Sequence, residues 1–574
     1  MAQPRLFLFF LWILCVTPAS HVSGQTSPLF TEGAQEVGLD FTHFNGMTGD
    51  LSLVEVMGSG AALFDYDNDG DLDALLLQGT FLGTGKQPAD ALVPWTGEHL
   101  PMARLYRNEL TIAADGTRRV RFSDVTATSK IVADGYGMGV AVGDINNDGW
   151  LDLYLTNAGP GQLWRNNGDG TFSNASALIA GPPLQWGVSA TFFDYDRDGW
   201  LDLYVTQYVD MNLAKQPTCY AKSSARDYCG PDAFAPLPDR LFHNNGDGTF
   251  ADVSQASGIQ SAKWAGLGVI ASDLNNDGWI DLYVANDGDP NFLWINQKNG
   301  TFKDEALWAG CAVNRMGMPE ASMGVDAGDF DGDGDDDLVM THLMDETHTF
   351  YTNLGNGLFT DRTIQVGLTA TTGRYTGFGT KWLDYDNDGW LDLLIVNGAV
   401  RTLPDLARQG DRYPLRQPKQ LLRGHEGQRL VDVSTQAGPA FAVPEVSRGA
   451  AFGDVDNDGD TDVLVLNSNG PARLLLNQVG TRHHWIGVRV VGTKGQRDML
   501  GARVEVVREG KPSLWRRVHT DGCYASANDA RVLVGLGAET RVKAVRVHWP
   551  DTRVETWTTV AVDRYTTLRQ GTAQ

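Results

Sequence analysis

The chain is poor in cysteine, with five in 574 residues, and no two are spaced as Cys-x-x-Cys. That spacing usually opens a structural zinc site, so no zinc module is expected. A Gly-x-Ser-x-Gly elbow, a His-Glu-x-x-His pair and a P-loop are also missing. Catalytic groups can be dispersed over a scaffold, so these absences weaken an enzyme reading and leave it as an alternative. Positive charge is scarce: 46 Lys and Arg face 71 Asp and Glu, for a formal charge of −25. No nucleic-acid partner is expected of such a chain. Long apolar runs are absent except at the start, where Arg5 precedes the run 6–16 and small residues follow. This reads as a secretory signal over residues 1–24, cleaved after Ala19 or after Gly24. The run is short for a bilayer span, with a signal-anchor as the alternative. Cleavage would leave no transmembrane anchor, and the expected location is secreted, periplasmic or extracellular.

What is present in excess is aspartate in one nine-residue pattern, Asp-x-[Asp/Asn]-x-Asp-Gly-x-x-Asp, which occurs seven times. The residues at positions 1, 3, 5 and 9 are Asp65, Asp67, Asp69 and Asp73 in the first copy, and Asp144, Asn146, Asp148 and Asp152 in the second. They are Asp194, Asp196, Asp198 and Asp202 in the third, and Asp273, Asn275, Asp277 and Asp281 in the fourth. The last three copies carry Asp329, Asp331, Asp333 and Asp337, then Asp384, Asp386, Asp388 and Asp392, then Asp454, Asp456, Asp458 and Asp462. A hard cation such as Ca2+ takes six to eight oxygens at about 2.3–2.6 Å, and alternate residues of a tight loop can turn their carboxylates onto one ion. A glycine at position 6 permits the backbone turn. The spacing matches the start of an EF-hand loop, but the Glu at position 12 is missing. Position 9 leads straight into an apolar β-type run, as in Asp152-Leu-Tyr-Leu-Thr, so these loops join strands. A single copy would pass as a polar turn. Seven copies, unbroken at positions 1, 5, 6 and 9, predict about seven structural Ca2+ ions.

A longer unit surrounds each loop. A Gly-rich apolar run precedes it (Gly137-Met-Gly-Val-Ala-Val), and a second strand follows (Leu201-Asp-Leu-Tyr-Val-Thr). A third strand (Arg240-Leu-Phe-His-Asn), an Asn-Gly or Asp-Gly hairpin and a fourth strand complete the unit. Four strands per unit and seven units predict a seven-bladed β-propeller over residues 25–480. The seventh unit lacks a fourth strand, and residues 28–32 resemble an orphan one. The N-terminal strand is therefore expected to close blade seven. Strands alternate in direction, so the metal loops and the 3–4 hairpins share one face. Three long strand 2–3 insertions, about 78–103, 207–239 and 397–419, crowd the other. Long loops on a rigid scaffold are where binding usually resides.

The units resemble FG-GAP/VCBS repeats, the blades also found in integrin α-subunit propellers. The tail, residues 481–574, resembles the ASPIC/UnbV domain through 492–504, Val534-Gly-Leu-Gly and 545–551. Both halves together look like the cartilage acidic protein family. That resemblance implies a secreted calcium-binding protein and leaves its ligand open. Independently, alternating apolar residues in 486–491, 502–507 and 542–549 predict a small β-sandwich-like domain. Its basic charge, set against the acidic propeller, favours docking between the two. The fold class is thus all-β, a seven-bladed integrin-α-like propeller followed by a small sandwich.

Cys219 and Cys229 lie ten residues apart in a polar insertion, which predicts a disulfide. His342 and His348 flank Glu346, and the reading of a polar, locally bonded loop outweighs a metal or catalytic one. Arg401, Arg408, Arg412, Arg416 and Lys419 form a basic loop, read as a solvated face with an anion clamp as the alternative. Trp150, Trp200, Trp279 and Trp390 fill position 7 of their loops and are read as packing residues. The expected function is a macromolecular binding or adhesion module for an extracellular protein or polysaccharide. The alternative is a carbohydrate-active enzyme with its site among the strand 2–3 loops.

Overall fold

A computed structural model describes Met1 and residues 27–83, 85–95, 101–494 and 497–573. The expected signal segment lies almost wholly outside the described residues. Seven four-stranded antiparallel sheets follow one another, the first six built in chain order. In blade three the strands are Gly187–Phe193, Asp202–Gln207, Arg240–Asn244 and Phe250–Asp252. The first strands of successive blades pack against one another in a closed ring, with Ser447–Gly453 of blade seven returning to Ala61–Phe64 of blade one. These inner strands are buried along nearly their whole length, which is why they read as continuous apolar runs.

The ring closes with the chain's beginning. Phe30–Glu32 pairs antiparallel with Arg473–Asn477 in the register Phe30 to Asn477 and Glu32 to Leu475. Phe30 is 1% exposed and packs against Tyr385 and Phe441. Without this strand, Arg473–Asn477 would be a raw sheet edge. Burial of Phe30 alone stabilises the ring by about 2–3 kcal/mol. Deleting residues 28–34 is expected to lower the melting temperature of the whole propeller in one cooperative step, read by circular dichroism. An unchanged melt would show that the pairing contributes nothing.

The tail from His484 onward forms two sheets. One places His484–Val491 between Val532–Gly537 and Tyr565–Arg569; the other runs Leu514–Arg517, Arg503–Val507, Ala544–His548, Val554–Trp557. Their inner faces make a core of Ile486, Val488, Val504 and Val545 that is continuous with Phe192 and Leu201 of the propeller.

The tail sits on the acidic-loop face. Trp485 lies over Gly459, so close that a Cβ at Gly459 would fall 1.8 Å from its ring. Its segment 518–529 then enters the axis of the ring and meets every blade. Ala527 N donates to Ala61 O (3.0 Å), Val140 N to Ala525 O (3.2 Å) and Val325 N to Cys523 O (3.0 Å). The Asp521 carboxylate accepts from Thr191 Oγ1 (3.2 Å) and Ala271 N (2.7 Å). Phe452 N donates to Asn528 Oδ1 (3.1 Å), and His519 Nε2 lies 3.2 Å from Lys381 Nζ of blade six. The glycines of the inner strands have their reason here. At Gly60 an added Cβ would lie 1.7 Å from Ala525 O. On the opposite face, residues 47–57 and the insertions cap the axis, and Tyr524 Oη donates to Met57 O at 3.1 Å, so cap and plug meet inside the ring.

Candidate functional site: a ring of acidic loops

Each acidic loop is a turn stitched by its own carboxylates. In the first, Asp65 Oδ1 accepts from Asp69 N (3.1 Å) and Asp65 Oδ2 from Gly70 N (3.0 Å). The same pair recurs at Asp144, Asp273, Asp384 and Asp454. Position 6 is a glycine because φ there is positive, +93° at Gly70. The position 9 carboxylate is fully buried and has a different task. Asp73 Oδ2 accepts from Tyr66 N (3.0 Å) and Asp73 Oδ1 from Asn108 N of strand three (2.8 Å), which ties the loop to its blade. All seven blades repeat this pair of bonds.

Two side-chain links, neither visible in the nine-residue pattern, join neighbouring loops. Position 4 is left-handed and reaches the next loop: Asn68 Nδ2 donates to Gly149 O (2.9 Å), Asn147 Nδ2 to Gly199 O (3.0 Å) and Asn387 Nδ2 to Gly459 O (2.8 Å). Asn457 Nδ2 closes the circuit onto Gly70 O at 3.1 Å. The asparagine ending strand three holds the loop of the preceding blade, as Asn166 Nδ2 does with Tyr66 O (2.8 Å). Both links fail between blades five and six, where Gly332 stands at position 4 and Gly424 replaces the asparagine. There the tail substitutes: Arg516 Nη2 donates to Gly389 O at 3.4 Å, and Arg517 Nε donates to Ala327 O at 3.3 Å. Gly332 has φ +78°, tolerable to asparagine, and an added Cβ meets nothing nearer than Trp390 at 3.5 Å. Gly332→Asn is expected to restore the missing link and stabilise by about 0.5–1 kcal/mol, seen as a small rise in melting temperature.

The donor set fits a hard divalent cation. Carboxylate oxygens of Asp65, Asp67 and Asp73 lie within 4.8 Å of one another, as do those of Asp329, Asp331 and Asp333, and of Asp384, Asp386 and Asp392. Asp67 Oδ1, Asp331 Oδ1 and Asp386 Oδ1 are buried and accept no hydrogen bond. A buried carboxylate oxygen without a donor is costly unless a cation faces it. Burial first, and the neighbouring carboxylates, push Asp65, Asp144, Asp194 and Asp273 up to about 6, Asp329 and Asp454 to about 7 and Asp384 to about 8. A bound Ca2+ would supply the opposing charge.

Part of that opposition comes from the tail. Arg489 acts on Asp65, Arg497 on Asp144 and Asp194, Arg503 on Asp273, Arg516 on Asp329 and Asp384, and Arg531 on Asp454. These arginines were not singled out in the sequence; their only signal was the contrast between a basic tail and an acidic propeller.

Family models match both halves. An FG-GAP-like repeat model covers residues 144–205, 231–284, 273–340 and 329–395, and an ASPIC and UnbV model covers 492–574. The chain carries FG-GAP-like repeats and an ASPIC and UnbV domain. The first and seventh acidic loops lie beyond the matched repeats yet keep the same bonds. Cartilage acidic protein 1 of Mus musculus is 23% identical over 94% of this chain and 76% of its own length. The Homo sapiens protein is 23% identical over 96% and 76%. The Xenopus tropicalis protein is 29% identical over 29% of this chain and 26% of its own length. Among solved structures, YCF48 bound to D1 peptide aligns with 8% identity over 78% of this chain and 95% of that one, at a TM-score of 0.39. An Agrocybe aegerita lectin that recognises non-reducing terminal N-acetylglucosamine aligns with 16% identity over 60% and 83%, at 0.35. At these TM-scores neither likeness carries an argument.

The other candidates resolve around the FG-GAP scaffold. Cys219 and Cys229 are joined as a disulfide, while Cys311 and Cys523 are separate buried thiols. His342 and His348 are 1% and 0% exposed. His342 Nε2 lies 3.0 Å from Ser322 Oγ and its Nδ1 2.8 Å from Thr347 O, so His342 is locally bonded; His348 Nδ1 accepts from His342 N (3.1 Å), and its Nε2 is buried without a hydrogen bond. In the basic insertion three of the five cations are paired, Arg408 with Asp405, Arg416 with Asp411 and Lys419 with Glu445. Trp150 and Trp200 pack under the 3–4 hairpins at Gly168 and Gly246, and the Arg197 guanidinium lies 4.1 Å from the Trp279 ring centroid. Among the described residues no helix is long and apolar enough to cross a membrane.

Proposed function

We propose that this chain is a secreted calcium-binding propeller whose insertion face binds an extracellular protein or polysaccharide, with calcium in a structural role. The observation that carries it is the division of faces. The tail covers the acidic-loop face and plugs the axis, so the insertions form the large face left for a partner. There, Asp50, Glu55, Leu82, Lys86, Asp210 and Asn212 are among the residues that line a cleft of about 700 Å³. The likeness to cartilage acidic protein 1, the disulfide and the sequence's N-terminal apolar run support an extracellular setting. A glycan array and affinity capture with the full-length chain test the reading. Binding should fall on substituting the cleft residues Asp210 and Asn212 and persist on substituting the exposed rim of the tail. Loss with the tail variants alone would place the partner elsewhere.

One observation favours the second reading, a carbohydrate-active enzyme. Glu55, Asp50 and Asp210 line the same cleft, and Asp50 is paired with Lys86 at 2.9 Å. Glu55 is 2% exposed, and burial raises its carboxyl to about 7 despite a hydrogen bond from Tyr228, so it can hold a proton at neutral pH. Glycan hydrolysis abolished by Glu55→Gln would decide for the enzyme; binding without turnover decides for the module.

A further inference from the structure

The third acidic loop differs from the other six in two ways, and both bear on which ion it takes. The strand-three residue just before the asparagine position, which Gly424 fills in blade six, stands beside the loop. It is Arg107, Arg165 or Arg423 in blades one, two and six, and Ile295, Thr352 or Leu476 in blades four, five and seven. In blade three it is His243. Its Nδ1 lies 3.1 Å from Asp202 Oδ1 and 3.4 Å from Asp196 Oδ2, and it groups with Asp196 and Asp198 within 4.8 Å. Neighbouring ligands on one ion at about 2.1 Å stand roughly 3.0–3.4 Å apart, so these spacings match coordination edges, while the contact with Asp202 is in the metal-free chain a hydrogen bond.

The second difference is at position 1. In loops one, two, four, six and seven the position 5 N–H occupies Oδ1 of the first aspartate, and in loop five Gly332 N does so. In loop three Asp198 N turns to Asp196 Oδ1 (3.3 Å), and Asp194 Oδ1 is buried with no hydrogen bond at all. The loop thus has a nitrogen donor against Asp196 and Asp202, and a freed oxygen on Asp194, whose carboxylate groups with the same Asp196 and Asp202. His243 keeps 25% of its side chain exposed, so an ion can enter from solvent.

Calcium takes oxygen ligands, whereas imidazole suits zinc and its first-row neighbours. We propose that loop three is a transition-metal site, with His243 Nδ1 joining Asp194, Asp196 and Asp202 around one borderline divalent ion such as Zn2+. The inference rests on the reading that the loops hold metal ions. A competing role for His243 is a simple counter-charge, as Arg423 provides by pairing with Asp386 at 2.7 Å.

Full-length protein stripped with EDTA and refilled with excess Ca2+ would be titrated with Co2+. Metals would be counted by elemental analysis, with visible absorption read alongside. One Co2+ per chain retained against calcium, with a d–d band, is expected. His243→Gln should weaken cobalt at least about 10–100-fold and abolish the band while the calcium count stays the same or rises by one. His243→Arg should do likewise, since it restores charge but offers no ligand. Calcium displacing all cobalt from the unsubstituted protein, or a band that survives both substitutions, overturns the proposal. If calcium fills seven loops and cobalt none, only this assignment fails; if no ion binds and melting is indifferent to EDTA, the metal-loop reading fails with it.

Discussion

A chain ending after Gln478 is expected not to form a stable ring, although all seven blades would be complete. The tail supplies the material that fills the axis. Without it, backbone groups of Ala61, Val140, Ala271, Val325 and Phe452 each lose a hydrogen-bond partner that the plug provides. A buried backbone group left without a partner costs about 1–3 kcal/mol. Tyr524, fully buried against Phe378, leaves a hole where its ring stood; losing a large buried aromatic costs about 3–5 kcal/mol. Together these come to about 8–20 kcal/mol, as large as the whole margin of about 5–15 kcal/mol by which a domain is stable. The truncated chain should therefore aggregate on expression, or bind a hydrophobic dye and melt without a cooperative transition. A sharp melt at the full-length temperature would mean that the propeller's axis is self-sufficient. A milder probe is Tyr524→Ala in the full chain, expected to lower the melting temperature while leaving secondary structure intact.

Chelation should be nearly as damaging, and its size should depend on pH in a stated direction. With extracellular-type affinities and millimolar Ca2+, each site adds about 0.4–1.4 kcal/mol, and the six loops other than loop three together about 2–8 kcal/mol. The loops are joined side chain to carbonyl nearly all the way round, so ion loss should weaken the ring as a unit. In the metal-free protein the first-position carboxyls are raised to about 6–8, mainly by burial. A raised carboxyl keeps its proton in the folded state where the unfolded chain has lost it. Metal-free stability therefore falls as pH rises from about 4 towards 7. Calcium needs the ionised form, so its contribution grows over the same window. EDTA-treated protein should melt higher at pH 5 than at pH 7.5. The rise on adding Ca2+ should be larger at pH 7.5. Differential scanning fluorimetry reads both. A calcium increment independent of pH, or none, would remove the ions from the stability argument.

The legible part of this protein is the part repeated along the chain. Each blade is a local hairpin assembly, with strand alternation, Asn-Gly turns and the Asp-x-Asp-x-Asp-Gly loop all within a few dozen residues. Blade number, loop positions, the opposed insertion face and the Cys219–Cys229 pair were therefore readable from short-range pattern. So was the three-stranded seventh unit, because an unpaired edge next to an orphan N-terminal strand has one economical solution. The inner-strand glycines were visible only as a Gly-rich apolar run, because what they make room for is a tail segment hundreds of residues away. The plug itself, His519 to Asp529, carries no motif, and its meaning lies in seven separate strands brought to one axis. The same holds for Arg489, Arg497, Arg503, Arg516 and Arg531, ordinary charges on alternating strands until the tail seats on the acidic face. It holds also for His243, whose place beside Asp196 and Asp202 follows from strand pairing. Local periodicity determined the blades and their loops. Closure in three dimensions decided what fills the axis, which charges meet, and which face is left open.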